Sequence, residues 1–417
     1  LDIILQYYFY GGAMNRKKYY LYQLFNELMP IYPLYLLLFE SKGLTVTQIS
    51  LLLAIWSLPG IVLEIPSGIL ADRWSRKNLI VLGAILKALC YLFWFFSEGF
   101  LLYAIGFILW GVGGSFASGS EEALLYDSLK TDGQEDSYDK VLGKGRFISG
   151  VSTIAASIIG GVIGKGFGFE AALLLSIISG ILSGTVALAF QEKNLYRERL
   201  QELSEEKEDA TLRNALGFLL HNKEIMLFTL MTLLVITTAG ILDEYDQLIA
   251  KEYGLTVSAI GIWTAIRFAL IAFGSYMAHG LRTMIEKIFR MKDIMYQVGS
   301  LCMVAAGLLI IAGLVRHFGI MVLYGLYYLI MAAGSVMQED YVQQKIEAEG
   351  RSTVHSLISL SQNLYGMICY GLFGFLLTRT DLHGGLVWCG VYIVFWTLVL
   401  GALYLFYSKS SIFHREI

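Results

Sequence analysis

The chain has 417 residues, 56% of them hydrophobic and only 16% charged, with a formal net charge of -3. A water-soluble protein of this length needs far more polar surface, and the charge balance implies no nucleic-acid partner. Apolar runs of about 20 residues, the length that crosses a bilayer core, recur along the sequence and predict an all-α polytopic membrane protein.

Residues 1–13 read as foreign to the fold, and Met14-Asn-Arg-Lys-Lys18 as a start that places cations ahead of the first span. Residues 1–18 would then be a cytoplasmic leader. Twelve spans are expected: 19–39, 48–71, 78–97, 100–125, 146–166 and 169–190, then 224–248, 258–278, 293–315, 319–341, 353–377 and 386–407. All four prolines (Pro30, Pro33, Pro59, Pro66) lie in the first two. Proline removes a backbone donor, so those two helices are expected to bend. Most of the 31 Lys and Arg fall in loops on one side. Lys42, Lys165, Lys251, Arg316 and Arg379 fall on the other, and Lys87 and Arg267 within spans. The bias predicts that both termini are cytoplasmic.

Residues 191–223 form the one long hydrophilic connection, rich in Glu, Lys and Arg, and read as a cytoplasmic linker with a surface helix. It divides an N-terminal bundle, 19–190, from a C-terminal bundle, 224–407, with a cytoplasmic tail at 408–417. The halves share sequence. Gly43-Leu-Thr-Val-Thr-Gln-Ile49 recurs as Gly254-Leu-Thr-Val-Ser-Ala-Ile260, each opening the second span of its half, and Gly145-Arg146 recurs as Gly350-Arg351 at the fifth. Repeats of this kind predict two halves of similar fold within one membrane protein.

Between the second and third spans runs Gly68-Ile-Leu-Ala-Asp-Arg-Trp-Ser-Arg-Lys77. A basic cytoplasmic loop accounts for Arg73, Arg76 and Lys77, but not for Asp72 or Gly68. The order G-x-L-A-D-R-x-x-R-K resembles the signature loop of the major facilitator superfamily, with Ser75 where a second glycine is usual. The resemblance implies two pseudo-symmetric six-helix bundles and a secondary transporter working by alternating access. It also implies an inner gate, in which Asp72 faces the start of the 353–377 span and Arg76 pairs with an acid ending the fourth span, here Asp127.

Ionisable groups within spans are costly and point to function. Glu27 lies about ten residues into the first span, roughly 15 Å deep at 1.5 Å per residue. The resemblance places the first, fourth, seventh and tenth helices around the substrate cavity, so Glu27 is the expected proton or cation site. A hydrogen bond to a neighbouring helix is the plainer reading. Arg267, at similar depth, counters Glu27, anchors an anionic substrate, or forms a structural ion pair. Glu64 is expected to pair with Lys87. Asp243-Glu244-Tyr-Asp246 and Glu339-Asp340 read as solvated helix ends ahead of cation-attracting cavity mouths.

Cys90, Cys302, Cys369 and Cys389 sit singly in apolar runs, and the six His show no ligand spacing. No metal site, cofactor, P-loop or catalytic motif is implied, so an enzyme is not expected. The favoured function is proton-coupled export of a small amphipathic or cationic compound by a monomer in the bacterial plasma membrane. Proton-coupled uptake of a small metabolite or anion is the alternative, and a non-transporting sensor on the same fold a distant one. The fifth span keeps Gly160-Gly161 but lacks the proline of the superfamily's drug-exporter pattern.

Overall fold

The computed structural model describes residues 13–192, 222–345 and 351–413, with side chains left undescribed at Glu64, Ile65 and Asp72 and near some segment ends. Among the described residues the regular structure is helical throughout, and ten helices or helix pairs are long and apolar enough to cross a membrane. The leader at 1–12 and the linker at 193–221 lie outside the described residues.

The expected first span is broken. Helix α1, Ala13–Glu27, stops at Glu27, and α2, Tyr35–Ser41, resumes after a turn that holds Pro30 and Pro33. Neither of two prolines three residues apart supplies a helical donor, and the chain leaves the helix rather than merely bending. Its freed backbone groups find partners. The amide of Leu28 donates to the Leu24 carbonyl, that of Met29 to Glu27, and that of Ile31 to the Ser176 hydroxyl at 3.0 Å. Backbone satisfied in this way is the condition for irregular structure within a membrane protein. By contrast α3, Val46–Arg73, runs through Pro59 and Pro66 without interruption.

Helix α4 spans Arg76–Phe95, α5 Phe100–Ala117, α6 Ser120–Thr131, α7 Tyr138–Phe167 and α8 Phe169–Leu188. The expected fourth span is therefore two helices, divided at Ser118-Gly119. The fifth begins eight residues before Arg146, at Tyr138, and runs through Gly143 and Gly145 without interruption. Helix α9, Lys223–Met231, passes through a π-helical turn, Thr232–Ile236, into α10, Thr237–Glu252. Then follow α11, Val257–Phe289; α12, Ile294–Leu314; α13, Met321–Lys345; α14, Arg351–Leu376; and α15, Leu382–Phe413.

Two compact units result, one of Leu1–Ser204 with Thr256–Ala265, the other of Glu205–Leu255 with Ile266–Ile417. In unit 1, α4 packs on α5 and α8, and α1 on α7 and α8. Its interior centres on Trp94, whose indole donates to the Tyr103 carbonyl at 3.2 Å within a nest of Tyr35, Phe39 and Phe107. In unit 2, α12 packs on α13 and α15.

The sequence repeat is also a backbone repeat. Gly43 and Gly254 both adopt left-handed backbone, φ 85° and 86°. In each case the amide of the next residue reaches back five positions, Leu44 to Phe39 and Leu255 to Ala250, both at 3.1 Å. This is a Schellman-type stop that glycine adopts without a Cβ penalty. Thr45 then opens α3 with a capping box, its hydroxyl accepting from the Gln48 amide while Gln48 accepts from the Thr45 amide.

Candidate functional site: buried charges in the two units

In the α3–α4 hairpin, Ser75 caps α4, accepting from the Asn78 amide at 3.1 Å. Arg76, the first residue of α4, is 6% exposed and its guanidinium meets the Asp127 carboxylate of α6 at 2.5 Å, with Asp127 7% exposed. The same guanidinium reaches the Ala123 carbonyl at 3.4 Å. A third group joins them: Glu192, just after α8, accepts from the Arg76 amide at 2.6 Å and from the Ser75 hydroxyl. A carboxylate at the N-terminus of α4 suits both the free amides and the helix dipole. Glu192 carries no motif, and only its position at the head of the hydrophilic connection hinted at it. Arg73 is exposed and Lys77 half-buried, while Gly68 has open space around it among the described residues. The side chains of Asp72 and Glu64 lie outside the described residues, and so do the contacts expected of them.

Glu27 is half-buried, at the last position of α1. Its carboxylate accepts from the Asn26 side-chain amide at 3.0 Å. Lys87 of α4 donates to the backbone carbonyl of Asn26 at 2.9 Å, so it caps the C-terminal end of α1 that the proline turn leaves open. Opposite stands Glu121, in the first turn of α6, which exists because the chain breaks at Gly119. Glu121 accepts from the Tyr22 hydroxyl at 2.7 Å and from Gln23 at 3.0 Å, and lies within electrostatic reach of Glu27 and Lys87. Unit 1 thus gathers two carboxyls and one ammonium. Reading the sequence by expected spans missed Glu121, because an unbroken fourth span gives it no helix terminus.

Arg267 has ion-pair partners within unit 2. Its guanidinium, 1% exposed, lies between two carboxylates of α10, Asp243 and Asp246, with Nε 3.1 Å from Asp246 Oδ2. The rings of Tyr328 and Phe268 flank it at 5.2 and 4.7 Å. Asp246 is also 1% exposed, so it is no solvated helix end. The correction has a simple cause. Residues 243 and 246 are three apart, on one face of α10, and their charge is supportable in the interior only beside a cation. Among the described residues no cluster of His, Cys, Asp and Glu is arranged to hold a metal ion.

Among the described residues, ten helices or helix pairs of membrane length with charges buried among them define an integral membrane protein. Residues 20–370 match the Major Facilitator Superfamily, and the chain belongs to that family. It is 23% identical over 383 residues to the tetracycline resistance protein, class H, of Pasteurella multocida, covering 90% of this chain and 91% of that protein. It is 22% identical over 255 residues to the uncharacterized MFS-type transporter YxaM of Bacillus subtilis (strain 168), covering 61% of this chain and 60% of that one. Among solved structures, the nucleoside transporter NupG superposes with a TM-score of 0.71 at 12% identity, over 94% of this chain and 98% of that one. A bacterial homolog of the human lysosomal transporter Spinster, solved inward-facing and unoccupied, gives 0.70 at 15%, over 95% and 97%. The peptide transporter POT in complex with sulfate gives 0.67 at 14%, over 94% of each chain.

Proposed function

We propose that the protein is a secondary active transporter that works by alternating access and exports a small amphipathic or cationic compound in exchange for protons. The observation that carries this reading is the cluster of Glu27, Glu121 and Lys87. Two carboxyls and one ammonium in a membrane bundle leave one negative charge in excess, which a proton or a cationic substrate neutralises in turn. A tyrosine hydroxyl and an amide hold Glu121 in one position, as a proton site requires. The likeness to a tetracycline resistance protein over nine-tenths of the chain supports the export direction. Arg76, Asp127 and Glu192, with Asp72, form the inner gate in this reading, closing the cytoplasmic side while the outer side is open.

The test is dye movement in inverted membrane vesicles with and without an imposed proton gradient. Glu121→Gln and Glu27→Gln, at matched expression, are expected to lower gradient-driven uptake at least tenfold, and Tyr22→Phe several-fold, since hydrogen bonds to a charged group are worth about 1.5–3 kcal/mol. Undiminished uptake in both carboxamide variants would remove the cluster from the coupling path. Inward flux that alkalinises the outside would favour the uptake alternative, with which the nucleoside and peptide transporter folds are equally compatible.

A further inference from the structure

The Arg267 triad of unit 2 does not balance its own charge. One guanidinium meets two carboxylates, Asp243 and Asp246. Arg267 and Asp246 are each 1% exposed, with Nε of the arginine 3.1 Å from Oδ2 of the aspartate. That pair is neutral by itself and closed off from water. Asp243 meets the guanidinium at Nη1 through its buried Oδ1, and 23% of its side-chain surface stays accessible, Oδ2 included. Asp243 therefore supplies both the surplus negative charge and the surface through which a proton enters and leaves.

The helices of unit 2 packed around α10 bring no second cation to the triad. Helix α13 brings the phenols of Tyr324 and Tyr328, and its charged residues start at Glu339, roughly 16 Å further along the axis at 1.5 Å per residue. Helix α14 brings Tyr370, Tyr365 and Cys369, and its own ionisable end, Arg351 and His355, is roughly 22 Å or more from Tyr370. Helix α15 faces α10 with Cys389 and Tyr392, and has no acid, lysine or arginine between Leu382 and Tyr407. On α11 the next cation after Arg267 is Arg282, roughly 22 Å along the helix. On α10 itself Glu244 adds a further carboxyl, and Lys251 is exposed two turns beyond Asp243.

Two carboxylates around a single cation, shielded from water, disfavour each other's ionised form, and one proton shared by the pair removes the surplus. We infer that Asp243, with Asp246 and Arg267 behind it, is a second proton-binding site, separate from the Glu27–Glu121 cluster of unit 1. The consequence for transport rests on the reading of the protein as a proton-driven exporter. Two sites release two protons per cycle, so exchange for a singly charged compound moves one net charge and responds to the membrane potential as well as to the pH gradient.

The proton is read by infrared difference spectroscopy on the full-length protein purified in detergent, with heavy carbon in the aspartate side-chain carboxyls. The label separates the acid carbonyl band of aspartate from that of Glu27 and Glu121. One protonated aspartate per chain is expected at neutral pH, its band lost in alkali. Asp243→Asn and Asp246→Asn are each expected to abolish the band, because either change leaves Arg267 one carboxylate and no surplus. Neither strands the guanidinium, so both variants should unfold close to the wild-type temperature. Absence of the band in the wild type, or its persistence in a folded variant, would overturn the site; the wild-type spectrum alone suffices where a variant fails to fold. Coupling is read as uptake of a monovalent cationic dye into inverted vesicles without a pH gradient. An interior-positive potential is expected to raise wild-type uptake several-fold and to have no effect on uptake by Asp243→Asn. Wild-type uptake that follows a proton gradient but ignores the potential would overturn the second coupled proton. A missing aspartate band beside intact proton-driven uptake counts against Asp243 alone. A band lost in both variants of a protein that moves no dye supports the site while the export reading falls.

Discussion

Arg267 shows how a buried cation acts on the residues around it. Its guanidinium presents a planar fork to two carboxylates three residues apart on α10, and Tyr328 covers its face. Removing one partner from a buried ionic group leaves uncompensated charge and typically costs about 3–5 kcal/mol. Arg267→Met should therefore lower the unfolding temperature of the purified protein sharply. Arg267→Lys should recover little of it, since an ammonium is a point charge and cannot bridge both carboxylates in the same geometry. Full recovery by lysine would mean that charge alone, and not the fork, holds the triad. At the same scale Ser75 explains its own departure from the signature pattern. Its backbone is extended, φ -160°, which any residue adopts, and its hydroxyl caps α4. A glycine there would lose the cap.

At the scale of the element, the break in the first span does more than bend a helix. It ends α1 at Glu27 and exposes the carbonyl that Lys87 caps, about a turn beyond Tyr22 and Gln23, which donate to Glu121. The break is held from outside by Gly160 of α7, where an added Cβ would meet the Pro30 carbonyl. Backbone cannot yield as a side chain can, so Gly160→Ala should destabilise by about 1–3 kcal/mol. A control lies ten residues earlier on the same helix, since a Cβ on Gly150 meets nothing within 4 Å. Thermal unfolding of the two alanine variants separates the cases. Equal unfolding temperatures would show that the turn does not depend on the close approach.

For the whole molecule, the proposed gate makes a conformational claim. Asp127→Asn keeps the shape of the side chain but strands the buried Arg76 charge, and should bias the protein toward the state with its inner side open. Spin labels at Asn78 in unit 1 and Glu286 in unit 2, both exposed, report this directly. A several-fold rise in the longer-distance population is expected. An unchanged distance distribution would leave the Arg76–Asp127 pair as a structural feature of unit 1 alone.

Much was legible in the sequence because it depends on local chemistry. Apolar runs of spanning length, the charged hairpin at 68–77 and the repeat that begins at Gly43 and Gly254 are all local signals, the first set by transfer into a bilayer and the second by loop charge, while the left-handed stop at each glycine was seen only in the structure. Membership of the superfamily followed from the same local signals. What the sequence could not determine was which charges face each other. Glu121 meets Tyr22 across 99 positions and Glu192 meets Arg76 across 116, and no periodicity carries that information. For Arg267 the sequence offered Glu27, an anionic substrate or an unspecified ion pair, and only the fold brings it to Asp243 and Asp246.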